Sequence, residues 1–351
     1  MRLVSFDYFR GLAILTIIAG HSYSYWKIDT FPEKVLANLI SGGTSLFVFI
    51  SGFFFHYVFY RNFHYIDFLK KKGTNVLMPY VFLSMLGFLY FGLCAPGDLP
   101  LEAGVDPALL RTWQGTLELL QFYLWSGGIN VAYWYIPFIM MVFVLSPLFI
   151  HYIGLGVTPR LAIMGGLFCV ALVSQRPAGN IMPFHALAYF LPVYLMGINC
   201  AIHKETVMAF IRHRTAFLGF LVVSLATLQA LVYRGVGSLH KVGVFSFKGL
   251  DIIIIQKVIL CFFVLSLLQK FEDREIPWLK HLAATSFALY FIHPWILRAQ
   301  YKSGFLRWVF EYLPGFMVFL INFGLAVGMS LAIAHLVKRL AGRDSRMLTG
   351  W

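Results

Sequence analysis

Three polar side chains stand in the first apolar run of this 351-residue chain: Asp7, Arg10 and His21. A charged group deep in such a run costs roughly 2.5–3.5 kcal/mol on insertion into a bilayer, so each is a functional hypothesis by default. Arg10 and His21 are eleven residues apart, almost three helical turns, and therefore share a helix face about 16 Å apart along the axis. Asp7, three residues before Arg10, is close enough to pair with it. A neutral imidazole can take a proton near pH 7, whereas a guanidinium cannot lose one. The plainer alternatives are an interfacial Asp7–Arg10 ion pair that sets the entry of the span, and a core histidine with satisfied hydrogen bonds. A second stripe, Ser286, Tyr290 and His293, is spaced four and three along another apolar run, with Pro294 placed to bend the helix. A kinked packing face is there the alternative to a pocket wall.

Such groups need a scaffold, and composition says which. Apolar residues make up 60% of the chain and charged residues 12%, with mean hydropathy +0.76, against about 45–50% and about 25% in soluble domains. No soluble fold hides that much apolar surface, so the chain is a polytopic membrane protein. Ten windows approach the length of about 20 apolar residues that a span needs: 8–27, 41–60, 76–94, 133–152, 161–175, 184–203, 215–233, 250–269, 281–300 and 314–337. The expected fold is an all-α transmembrane bundle of about ten spans, with 1–340 as one membrane module and 341–351 as a short basic cytoplasmic tail. The net charge of +13 fits basic residues gathered at cytoplasmic span ends rather than a nucleic-acid partner. Placing the N-terminus inside puts 16 of the 28 Lys and Arg on the cytoplasmic side, among them Lys70, Lys71 and Lys72 and the basic tail, so both termini are expected inside. The long outer loop 95–132 holds Leu117–Trp125, apolar but too short to span, which suggests an interfacial or re-entrant helix, or one that merely packs. Cys94, Cys169, Cys200 and Cys261 lack metal-ligand spacing, and no metal is expected. The H-E-x-x-H, Walker and G-x-S-x-G motifs are absent, which leaves metalloprotease, ATPase and elbow-type hydrolase chemistry without support.

The opening FDYFRGLAILTIIAGH resembles the start of the acyltransferase family three membrane proteins, whose signature is Arg or Lys, ten residues, then His; Arg10 and His21 match it. Gly42-Gly43 followed by LFVFISGF (Leu46–Phe53), Trp134-Tyr135, YLMGI (Tyr194–Ile198) and SFALYFIHP (Ser286–Pro294) are similar to further family segments in the same order. The resemblance runs from residue 2 to about residue 337. It departs before Pro79-Tyr80, where family members often carry an arginine pair and this chain has Lys70-Lys71-Lys72 upstream and Asn75 near the second place.

The resemblance implies a membrane O-acyltransferase of the bacterial cytoplasmic (inner) membrane. It moves an acyl group, acetyl being the commonest, from cytoplasmic acyl-CoA to a hydroxyl of a surface or lipid-linked glycan, with no bound cofactor. Coenzyme A is polyanionic, so Lys70, Lys71, Lys72 and Arg61 would attract it at the inner mouth. His21 would serve as base or as acyl carrier, and Arg10 would position the donor or anchor Asp7. Ser51, the backbone near Gly52, or Tyr290 would supply the oxyanion donor. Trp134, Ser286 and His293 would line the pocket. The alternative is a polysaccharide export component on the same fold. Against it stands the lack of paired Gly/Pro-broken helices in corresponding halves of the chain.

Overall fold

The computed structural model describes residues 4–100, 105–233, 235–241 and 249–351. In lipid every backbone N–H and C=O must be satisfied within the chain, so long apolar runs become helices. The order begins α1 (Val4–His21), α2 (Phe31–Ile40), α3 (Thr44–Phe54), a π turn (Phe55–Phe59), α4 (Tyr65–Lys72) and α5 (Met78–Leu93). It continues with α6 (Trp113–Ser126), α7 (Tyr135–Val144), α8 (Ser146–Gly154), α9 (Val157–Ser174) and α10 (Pro183–Ile202). The remainder is α11 (Lys204–Ile211), α12 (Thr215–Tyr233), α13 (Ile252–Leu268), α14 (Pro277–Lys302), α15 (Phe305–Phe310), α16 (Gly315–Ala341) and α17 (Ser345–Thr349). The strands are two residues each: β1 (Arg176–Pro177) lies parallel to β2 (His240–Lys241), with Arg176 opposite His240. The protein is otherwise all-α.

Among the described residues, seven segments are long and apolar enough to cross a membrane, or eight when the bent α7–α8 pair counts as one. All ten sequence windows fall on helices, but α1 and α14 are not among these segments. The reason is physical: these two helices carry the polar site residues and pack against each other inside the bundle. Gly11 lets α1 approach closely, its missing Cβ leaving 3.0 Å to the Leu279 carbonyl and 3.2 Å to the Ala283 nitrogen.

Other contacts set the directions of the helices. Gly43 abuts Thr16 and Ile17 near the C-terminal end of α1, and Phe53 stacks on Phe6 at 3.6 Å near its N-terminal end. Helix α3 therefore runs antiparallel to α1. The motif glycines join α3 to α10: Gly52 faces the Tyr194 carbonyl and Gly197 faces the Phe49 carbonyl. Between α2 and α3 the chain breaks at Gly42, which has φ 78°. The buried Lys257 ammonium caps that break, donating to the Asn38 and Leu39 carbonyls at 2.9 Å each. These acceptors meet the need of a buried ammonium for hydrogen-bond partners.

The connection between α5 and α7 contains α6, longer than the sequence suggests, started by Thr112 accepting from the Gly115 N–H and ended by Gly127 at φ 71°. The chain's end also differs from a free tail. Helix α17 folds back against α5, with Ser345 and Thr349 buried and the Trp351 ring edge-on to His335 at 5.0 Å.

Candidate active site

Helix α1 has a cavity at each end. At its N-terminal end, Asp7 and Arg10 line a cavity of about 290 Å³ together with Ser51, Lys72, Tyr135 and a wall of phenylalanines. At its C-terminal end, His21 lines a second cavity of about 520 Å³ with Trp134, Asn180, His240, Arg298 and Lys302. The spacing that puts Arg10 and His21 on one helix thus serves two compartments rather than a single cluster.

A row of rings lies between them. Tyr135, on the wall of the first cavity, meets Tyr290 with centroids 5.8 Å apart. Tyr290 meets His293 at 6.3 Å, and His293 stacks on His21 at 5.6 Å with 28° between planes. His293 is fully buried, and its Nδ1 donates to the Leu289 carbonyl at 2.8 Å. A carbonyl only accepts, so the neutral imidazole carries its proton on Nδ1 and a lone pair on Nε2. That Nε2 is buried and has no hydrogen-bond partner.

The α6–α7 loop braces this stretch of α14. The Tyr290 hydroxyl donates to the Ala132 carbonyl, and the Tyr133 hydroxyl donates to the Phe291 carbonyl at 2.8 Å. The Trp295 indole N–H in turn donates to the Tyr133 hydroxyl at 2.8 Å. Helix α14 runs unbroken through Pro294, whose missing N–H frees the Tyr290 carbonyl from its helical partner.

Several residues expected in one place are dispersed. Of the four cations expected to meet the donor only Lys72 enters the Asp7–Arg10 cavity, its ammonium 4.5 Å from the Phe143 ring centroid. Lys70 is exposed, Lys71 lines a small cleft with Asp67, and Arg61 lines a separate one. Ser51 sits beside the Tyr135 hydroxyl on the first cavity's wall. Gly52 lies inside α3, pressed on the α10 backbone. Ser286 is buried and donates to the Ala283 carbonyl of its own helix at 2.9 Å, away from the lining of either cavity. The Tyr290 hydroxyl is committed to Ala132 and is not free to serve an oxyanion.

Trp134 does line the second cavity, stacked on Phe190 at 5.7 Å with the Arg176 guanidinium 5.1 Å from its ring. Arg176 is the residue sequence reasoning missed. It donates to Asn180 Oδ1 from Nε at 3.2 Å and from Nη2 at 2.9 Å. Its charge acts on both His21 and His240. Burial lowers its own pKa, against the pull of Tyr189 and Asp251. Burial and the Arg176 charge hold His240 down at about 4, so it is neutral at pH 7. Asp251 caps α13 and accepts from the Tyr189 hydroxyl at 2.8 Å; burial raises its carboxyl to about 6. The available signal was a cation in a turn between two spans, and it looked like any outer-end charge.

An integral, multi-pass helical membrane protein with a cavity at each end of one helix, and a row of buried rings between them, is the class these features define. A family model described as an acyltransferase domain, acyltransferase 3, matches residues 3–335, and the chain belongs to that family. Transferase activity with an acyl donor follows from membership. Neither the curated proteins nor the solved structures contain a match.

Proposed function

We propose that the protein transfers an acetyl group from cytoplasmic acyl-CoA to a hydroxyl of a surface or lipid-linked glycan, in a bacterial cytoplasmic membrane with both termini inside. The observation that carries this reading is the pair of cavities at the two ends of α1, with His21 on the far one and His293 behind it. The donor enters at the Asp7 end, where Arg10 and Lys72 meet its phosphates and the phenylalanine wall suits its uncharged arm, whose thioester end then passes the Tyr135–Tyr290–His293 row to reach His21. The acceptor occupies the His21 cavity. One His21 nitrogen takes the acceptor's hydroxyl proton as the oxygen attacks the thioester carbonyl. When the tetrahedral intermediate collapses, the C–S bond breaks and the thiolate leaves with that proton. Arg176, close enough to act on His21, supplies positive charge near the developing oxyanion.

A base of this kind works best when a third group fixes which of its nitrogens is free. The bare Nε2 of His293 fills that place by accepting the other His21 N–H once substrate draws the rings together. Replacing His293 by Phe keeps the volume and removes the lone pair. Turnover is expected to fall about 10–100-fold with donor KM unchanged, as for loss of an orienting hydrogen bond in the transition state alone. His293→Gln, whose amide oxygen reaches the Nε2 position, should recover part of that loss. Equal damage from both substitutions would mean that His293 only packs.

The donor cavity makes a separable prediction. Lys72→Met retains the alkyl stem among Phe59, Phe68 and Phe143 and removes the charge. The KM for acyl-CoA should rise about tenfold, the equivalent of one charge-assisted hydrogen bond, with kcat little altered. Steady-state kinetics in detergent decides this, and an unchanged donor KM would move the phosphate site elsewhere.

A further inference from the structure

At the Asp7 end of the bundle, on the other face of the π turn from the donor cavity, lies a cleft of about 840 Å³. His56 and Arg61 form one wall, and His203 and Lys204, at the α10–α11 junction, form the other. Arg160, in the first turn of α9, reaches this wall from behind. Its Nη2 donates to His203 Nε2 at 3.2 Å, so the His203 nitrogen is the acceptor.

Arg160 is only 5% exposed, and among the described residues no carboxylate pairs with it. Its Nε is buried without a hydrogen-bond partner, as is Nδ1 of His56. Arg160 and Arg61 both act electrostatically on His56. The one carboxylate on the described wall, Glu205, is 89% exposed at its side chain and bound to Lys204 at 2.9 Å. A buried guanidinium without a counter-charge is costly, because removal from water is not repaid by a partner. Helix α11 adds to the deficit. It starts at Lys204 with no side-chain cap, and its first residues, Lys204, Glu205 and Thr206, line the cleft. Uncapped backbone N–H groups beside Arg forks are the chemistry that holds phosphate.

We propose that this cleft is a phosphate-binding site, separate from the His21 cavity and independent of the acyl-transfer reading. Arg61, Lys204 and the α11 N-terminus hold the oxygens, and the Arg160 charge behind the His203 wall adds to the attraction. The phosphate belongs either to a soluble nucleotide or to an anionic lipid headgroup of the adjoining leaflet.

The test uses the full chain, purified and placed in nanodiscs. Binding of 3′,5′-ADP is measured by calorimetry against adenosine. Retention of phosphatidylglycerol is counted by native mass spectrometry against phosphatidylcholine. One phosphate-bearing probe is expected to bind saturably, and which one does so names the source. Arg61→Gln, on an exposed turn, should weaken that binding about tenfold, the loss of one charge-assisted hydrogen bond. Arg160→Gln should weaken it by less, through loss of a charge behind the wall, and if that variant misfolds the Arg61 result stands alone. Two outcomes overturn the proposal: neither probe is preferred over its uncharged counterpart, or binding survives Arg61→Gln and is lost only with Lys72→Met, which places the phosphate in the donor cavity.

Discussion

His21→Ala is expected to lower acyl transfer about 10²–10⁴-fold, the range that a positioned general base supplies, while the protein stays folded and membrane-inserted. The structure separates these two consequences. His21 is the last residue of α1 and faces a cavity of about 520 Å³, so truncation enlarges an existing polar space instead of opening a hole in the packed core. Donor KM should barely change, because Arg10 and Lys72 sit at the other end of the helix. Added imidazole can enter the enlarged cavity and replace the lost base, so partial rescue that saturates with imidazole concentration is expected. Rescue without saturation would point to solution catalysis, and wild-type activity in His21→Ala would remove the base altogether.

The second large effect concerns the fold. A Cβ at Gly52 would overlap the Tyr194 carbonyl, and one at Gly197 would overlap the Phe49 carbonyl. Both obstacles are backbone in a helix crossing, which cannot move aside as a flexible side chain can. Gly52→Ala and Gly197→Ala should each cost about 3 kcal/mol or more, at the upper end of overpacking penalties. Either change pushes α3 from α10, so the double variant should cost less than the sum of the two. Gly165→Ala is the control: it lies in α9 with nothing within 4 Å of its would-be Cβ, and helix propensity makes it neutral or slightly stabilising. Thermal unfolding followed by size-exclusion chromatography reads all four variants. A Gly197→Ala protein as stable as Gly165→Ala would contradict the close crossing.

Much of this architecture is written in the sequence because lipid allows few solutions to a long apolar run. The window 215–233 coincides with α12, and the others fall on helices with shifted ends. Helix α2 was overlooked although Thr30 and Glu33 form its capping box and Pro32 starts it, a signature present in the sequence. The family segments were legible as strings, but their jobs were not. Gly52 and Gly197 meet the facing backbone at a helix crossing, Ser286 bonds within its own helix, and the Tyr290 hydroxyl reaches the Ala132 carbonyl. Helical periodicity placed Arg10 and His21 on one face and could not show that separate cavities meet that face at its two ends. Nor can spacing along one chain reveal that Lys72 turns inward while Lys70 and Lys71 stay out, or that a two-residue strand pair brings Arg176 beside His240. Those facts depend on which neighbours pack there.

The most direct measurement is the ester content of surface glycan, by mass spectrometry and NMR, from deletion cells complemented with the wild-type or the His21→Ala gene. Wild type should restore an ester whose mass increment is that of acetyl, and His21→Ala should leave the glycan at the surface without it. If both genes restore the same ester content, His21 is not the base; if glycan fails to reach the surface while its acylation is unchanged, the protein serves export instead.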